Sequence, residues 1–214
     1  RMQGSADFLK LGSCAERGLT KEKIAEYLST QEMSAKMHGV LKIVMSAENT
    51  FFQMRKNPYM DEIYSRGFMT DLSKVRRNET SPLVYHKTLN YGDCILEKRA
   101  AAAAGINEKI FINTKGQISE GTVCNVFFVR KNMIYTPQLS CGLLPGILRE
   151  YIMERFQVTE TIIYPDELMY YEECFVTNSL MGVMPVRQLG NICFPHRAKA
   201  DEVREVYEKE KMSL

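Results

Sequence analysis

Hydrophobic and polar residues along this chain follow strand-like spacing in many short runs and helical spacing in a few longer ones. Ile24, Ala25, Leu28 and Met33 recur near a 3.6-residue period, so residues 21–33 are predicted as a helix with Thr20 as its N-cap. Residues 5–11 are helix-like as well, while 40–45 and 67–75 are β-rich runs separated by the loop signal Asn57-Pro58. From residue 90 the punctuation is more regular. Asn90 is expected to cap a helix through the alanine stretch to Ala104, stopped by Gly105. Short strands are expected at 109–113 and 117–119 around the turn 114–116, and at 125–130 and 133–136 across Lys131-Asn132. Pro145-Gly146 should open a helix to Phe156. Further strands are read at 159–164, 174–177 and 184–189, followed by a charged amphipathic helix over 197–211.

Strands and helices mix without strict alternation, which predicts an α+β fold. The polar stretch 76–82, ending in Pro, divides the chain into a small α/β domain (1–76), a linker (77–85) and a larger domain (86–214). The chain opens on Arg1-Met2 and runs directly into helix-like sequence, so its natural N-terminus is expected to lie upstream.

Composition narrows the function. With 28 Lys+Arg against 26 Asp+Glu the net charge is +2 over 214 residues, which gives no electrostatic footprint for nucleic acid. No apolar run approaches the ~20 residues of a membrane helix. The six cysteines are widely spaced and three histidines are scattered, so no metal site is expected and free thiols in a reducing cytoplasm are.

Four segments carry candidate chemistry. Lys87 stands between an extended apolar run and a helix start, where a lysine can serve as an imine-forming amine held in a cleft. Glu120 lies between a strand and a Gly-Thr turn. Leu144-Pro-Gly-Ile-Leu-Arg149 sets a glycine at a helix start, the arrangement that admits a phosphate to free N–H groups. Thr177-Asn178-Ser179 offers small polar groups at a strand end. Each alone is an ordinary surface lysine, turn or helix start. Together they supply an amine, an acid for a ring nitrogen and two phosphate-binding turns, the set that pyridoxal phosphate requires.

In this order, with Thr136-Pro137 and Met184-Pro-Val186, the segments resemble the fold-type IV pyridoxal-phosphate enzymes, the class IV aminotransferases. The resemblance runs from Arg1 to about Leu189. It implies a two-domain, D-amino-acid-aminotransferase-like fold whose small domain lacks its N-terminal strands here. It makes Lys87 the lysine covalently joined to the cofactor and then the proton shuttle, and Glu120 the partner of the pyridine nitrogen. Tyr91 would lie near the phenolic oxygen and Leu144 on one ring face. Gly146, with the amides of Ile147 and Leu148, would take the phosphate, together with Asn178, Ser179 and Arg1. A small amino substrate and a homodimer follow from the same resemblance, beside the cytoplasmic setting expected from the cysteines.

The family's usual Gly-Ile-Thr-Arg reads Gly146-Ile-Leu-Arg149 here, so one hydroxyl contact to phosphate is lost, a change of about 0.5–1.5 kcal/mol. The Thr177-Asn-Ser-Leu turn and Lys87-Thr-Leu-Asn look closest to 4-amino-4-deoxychorismate lyase, which releases pyruvate and 4-aminobenzoate. Tyr91 points instead to the branched-chain aminotransferases. An amino-acid aminotransferase and a non-catalytic member of the scaffold are the other readings.

Overall fold

The structure, a computed structural model, describes residues 1–31 and 39–211. It divides into two compact units, Arg1–Met60 and Asp61–Leu214.

The first unit holds α1 (Met2–Phe8), α2 (Lys21–Ser29), β1 (Gly39–Met45) and β2 (Thr50–Lys56). Thr20 caps α2 as its sequence predicts: the Lys23 N–H donates to Thr20 Oγ1 at 3.3 Å. Met33 and His38 lie outside the described residues. The helix expected at 5–11 starts and ends earlier, because Lys10 and Gly12 adopt positive φ and break it after Phe8. Strand β2 is unmarked in the sequence. It forms because it pairs with β1 from Gly39↔Lys56 to Met45↔Thr50.

The second unit contains α3 (Asp61–Arg66), β3 (Phe68–Arg77), α4 (Gly92–Ala103), β4 (Glu108–Asn113), β5 (Ile118–Gly121), β6 (Asn125–Arg130) and β7 (Met133–Pro137). It continues with α5 (Ile147–Arg155), β8 (Val158–Thr161), β9 (Glu173–Asn178), β10 (Gly182–Leu189), β11 (Ile192–Cys193) and α6 (Ala198–Lys211). Among the described residues its strands form one mixed sheet, ordered β5-β4-β3-β10-β9-β6-β7-β8, with β11 beside β10. The fold class is α+β, as expected.

The division at residue 60 precedes the boundary expected at 76/77. Residues 76–77, expected to begin a linker, instead close β3, with Arg76↔Ile112 and Arg77↔Asn113 in register on parallel β4. The parallel partners β4 and β10 flank β3, so it belongs to the middle of this sheet. Parallel pairing is invisible to local pattern because its partners are far apart in sequence. The hairpin at Lys131-Asn132 does form, with both residues at positive φ as a tight primed turn requires.

The core sits between the sheet and helices α5 and α6. Phe127 on β6 and Phe175 on β9 are fully buried and stack with centroids 4.9 Å apart. Leu148, Ile152, Val183 and Val203 are buried in the same cluster. No helix among the described residues is long and apolar enough to cross a membrane. Truncating Phe127 to Ala leaves a void beside a stacked ring, so urea unfolding of Phe127→Ala is expected to show a loss of about 3–5 kcal/mol with little change in slope.

Candidate active site

Strand β5 ends at the sheet edge, and Glu120 on it is only 5% exposed. A carboxylate taken out of water this far needs donors. Two reach it: Arg77 Nη2 at 2.6 Å from Oε1, and the Leu144 N–H at 3.0 Å from Oε2. Arg77 comes from the last position of β3; its guanidinium lies over the Phe111 ring, 5.3 Å from the centroid, with Nη1 3.5 Å from Cys94 Sγ. Burial pushes the Glu120 carboxyl up to about 7, against the opposing pull of the Arg77 charge, the Leu144 amide and the Lys87 charge. Burial alone would lower Arg77's proton affinity, but the Glu120 charge beside it raises it above the usual arginine value. The Glu120 charge thus stabilises that of Arg77, while burial outweighs the pull of Arg77 on the carboxyl.

The turn after Glu120 is clamped. The Gly121 N–H donates to the Cys124 carbonyl at 2.7 Å, and the Thr122 N–H to the fully buried Glu108, whose other oxygen meets Lys98 Nζ at 3.0 Å. Across from it, Ser119 Oγ donates to the Gly142 carbonyl at 2.9 Å. Gly142 has φ +84, and a Cβ there would lie 2.7 Å from Glu79 Cα. Only glycine lets the segment leading to Leu144 approach so closely.

Leu144 links Glu120 to the next element. Its carbonyl accepts from Asn125 Nδ2 at 2.9 Å. Asn125 in turn closes on Gly146, where a Cβ would sit 2.1 Å from Asn125 Oδ1. Gly146 is the N-cap of α5 and no side chain caps it, so the amides of Ile147 and Leu148 are not spent within the helix. The Leu148 side chain is 4% exposed and packs in the core, which explains an apolar residue where the family usually has threonine; its amide alone is left for a ligand. Asn125 pairs in register with Thr177 on β9. Thr177 Oγ1 is buried and has no hydrogen-bond partner among the described residues. The Asn178 side chain accepts from the N–H groups of Leu180 and Met181, both at 2.9 Å, and donates to the Val123 carbonyl at 3.2 Å, so it holds the turn in shape. Ser179 is exposed.

The structure thus joins Glu120, Leu144 and Asn125 through hydrogen bonds, packs the Asn125 side chain against Gly146, and ties them to the 177–179 turn through the Asn125↔Thr177 strand pair. Lys87 lies within electrostatic reach of Glu120. It is exposed rather than enclosed in a cleft, since the stretch between the 3-10 turn Pro82–Tyr85 and α4 runs over the surface of this unit. Tyr91, not Asn90, is the N-cap of α4, and it gives no side-chain cap. Arg1 heads α1 in the first unit. Two residues at this site escape local reading, Arg77 and Asn125, while Thr177 belongs to the turn read from the sequence. Arg77 reads as linker and Asn125 as a strand start, and only the strand pairing gives either a partner.

Residues 1–189 match the class IV aminotransferase family, and the chain belongs to it. Enzymes of this family depend on pyridoxal phosphate. A protein of Thermotoga maritima described as a branched-chain-amino-acid aminotransferase is 27% identical over 202 residues, 91% of this chain and 71% of its own length. The chain spans about half the length of several other curated relatives. A Thermotoga maritima crystal structure described as a branched-chain amino acid aminotransferase covers 99% of this chain and 78% of its own, with a TM-score of 0.83 and 26% identity. A Legionella pneumophila structure described as a 4-amino-4-deoxychorismate lyase covers 91% and 83%, with a TM-score of 0.73 and 23% identity, and shares the fold.

The raised proton affinity of Glu120 has a measurable consequence. An unperturbed glutamate titrates near 4.5, so between that pH and about 7 the folded chain keeps a proton that the unfolded chain has lost. This group's contribution is fully present below 4.5 and is lost as pH climbs through 7, roughly 3 kcal/mol in all. Urea unfolding of the cofactor-free chain at pH 5 and pH 8 is expected to show a decline that is smaller in Glu120→Gln by about that amount.

Proposed function

We propose that this chain is the cofactor-binding part of a pyridoxal-phosphate enzyme that moves a proton at the amino-bearing carbon of a small amino substrate. The observation that carries the reading is the buried Glu120, hydrogen-bonded through Leu144 to Asn125, whose side chain packs against an uncapped helix start. The donor set suits the group. A buried acid near neutral titration matches a basic ring nitrogen, and the open amides of α5 with the unpartnered Thr177 hydroxyl match a phosphate.

When bound, the cofactor supplies an aldehyde carbon for exchange with amines and a ring that takes up electrons. Lys87 would hold it covalently through Nζ and, once released, take the proton from the substrate carbon at that same nitrogen. Glu120 would share a proton with the ring nitrogen, and Arg77 would hold that carboxyl in position. Leu144 would cover one ring face and Tyr91 would face the phenolic oxygen. Gly146, the amides of Ile147 and Leu148, the Asn178-Ser179 turn and Arg1 would bind the phosphate. The same reading expects a homodimer in the cytoplasm.

Two reactions fit this machinery. Amino-acid transamination is favoured by the curated relatives described as branched-chain aminotransferases, one of them matched over nine-tenths of the chain. The lyase reaction, aminodeoxychorismate to 4-aminobenzoate and pyruvate, is favoured by the Thr177-Asn-Ser-Leu turn. Adding pyridoxal phosphate is expected to produce a visible absorbance band that Lys87→Ala abolishes; an unchanged band in that variant would overturn the reading. Glu120→Gln should keep the band and lose ~10²-fold or more in turnover. With full-length protein, turnover of a branched-chain amino acid only when a keto acid is supplied supports transamination. Pyruvate release from aminodeoxychorismate without an acceptor supports the lyase.

A further inference from the structure

Thr136-Pro137 and the arginine that closes Gly146-Ile-Leu-Arg149 stand among the ordered motifs without a chemical task. The structure brings them together. Arg149 is the third residue of α5 and only 3% exposed. Its Nη2 donates to the Pro137 carbonyl at the end of β7, at 3.1 Å, and to the Glu160 carboxylate on β8, with which it forms an ion pair. Thr136 and Glu160 are register partners across these two parallel strands, and the buried Thr136 hydroxyl donates to the Val126 carbonyl of β6 at 2.9 Å. One guanidinium therefore fastens the first turn of α5 to β7 and β8, while Asn125, the neighbour of Val126 in β6, packs against Gly146.

This is a costly way to attach a helix. A buried guanidinium loses its hydration, and Arg149 Nε is buried with no hydrogen-bond partner among the described residues. A cation in a first turn also opposes the helix dipole. Apolar packing attaches α5 already, through Leu148 and Ile152 in the core cluster. Such packing is non-directional, whereas hydrogen bonds to two acceptors fix an orientation. Orientation matters at this end of the helix. The first helical hydrogen bond of α5 runs from the Glu150 N–H to the Gly146 carbonyl at 2.9 Å, so the amides ahead of it find no acceptor inside the helix. Their use to an anion depends on where they are aimed.

We propose that Arg149 is a positioning residue for the cofactor phosphate: braced on Pro137 and Glu160, it sets the aim of the open amides of α5. The inference rests on the functional reading above and deepens it, assigning part of the phosphate affinity to a side chain whose guanidinium is engaged elsewhere.

Two aldehydes test this, pyridoxal phosphate and pyridoxal, which has the same aldehyde and ring without the phosphate. Each is titrated into the cofactor-free chain and followed by the visible band. In Arg149→Met, affinity for pyridoxal phosphate is expected to fall about tenfold or more while affinity for pyridoxal stays within about twofold. Arg149→Lys, which keeps the charge, should recover part of the loss. Glu160→Ala, at a partly exposed position, should show the same selective loss to a smaller degree. An equal loss for both aldehydes overturns the proposal, because it marks support of the whole unit rather than of the phosphate site. Unchanged affinity for pyridoxal phosphate overturns it as well. If Arg149→Met does not fold, the ratio of the two affinities in Arg149→Lys and Glu160→Ala decides. A parent chain that gives no band with either aldehyde overturns the functional reading and this proposal with it, a result distinct from a parent that binds and variants that lose no selectivity.

Discussion

A carboxylate held almost out of water at the edge of a sheet is the constraint on which this site rests. Burial alone would keep Glu120 protonated and inert, and an ion pair alone would hold it ionised; the two pulls together bring it to about 7. That balance depends on a guanidinium arriving at 2.6 Å from another strand. Because Glu120 is buried and the Arg77 side chain is largely shielded, removing either partner leaves a charge poorly solvated, a larger penalty than losing a surface pair. Everything that sets the position of Arg77, from the register of β3 on β4 to the Phe111 ring beneath it, therefore acts on the acid.

The same economy of close approach runs through the neighbouring elements. Gly142 admits the Glu79 backbone, which a methyl group there would force apart, and Gly146 admits the Asn125 side chain, whose amide a methyl group would displace. The consequence is a helix start left uncapped next to a buried hydroxyl without a partner. Native folds rarely leave both kinds of group unsatisfied in one place, and a ligand that accepts their hydrogen bonds is the physical reason to do so.

Local chemistry alone determined much of this protein. Helical periodicity with Thr20 ahead located α2, the paired Lys131-Asn132 located a hairpin, and Pro145-Gly146 located α5, because caps and turns act over a few residues. The ordered motifs from Lys87 to Ser179 were legible for the same reason, each being a short segment whose backbone geometry demands particular residue types. Strand β2, the extent of β3 and the boundary between the two units were decided only by tertiary structure, since strand pairing joins positions far apart and leaves no local periodicity. Arg77 shows the difference best. In sequence it is one of two adjacent arginines in a polar stretch, and only the parallel register of β3 on β4, with β5 beside them, turns it into the partner of Glu120.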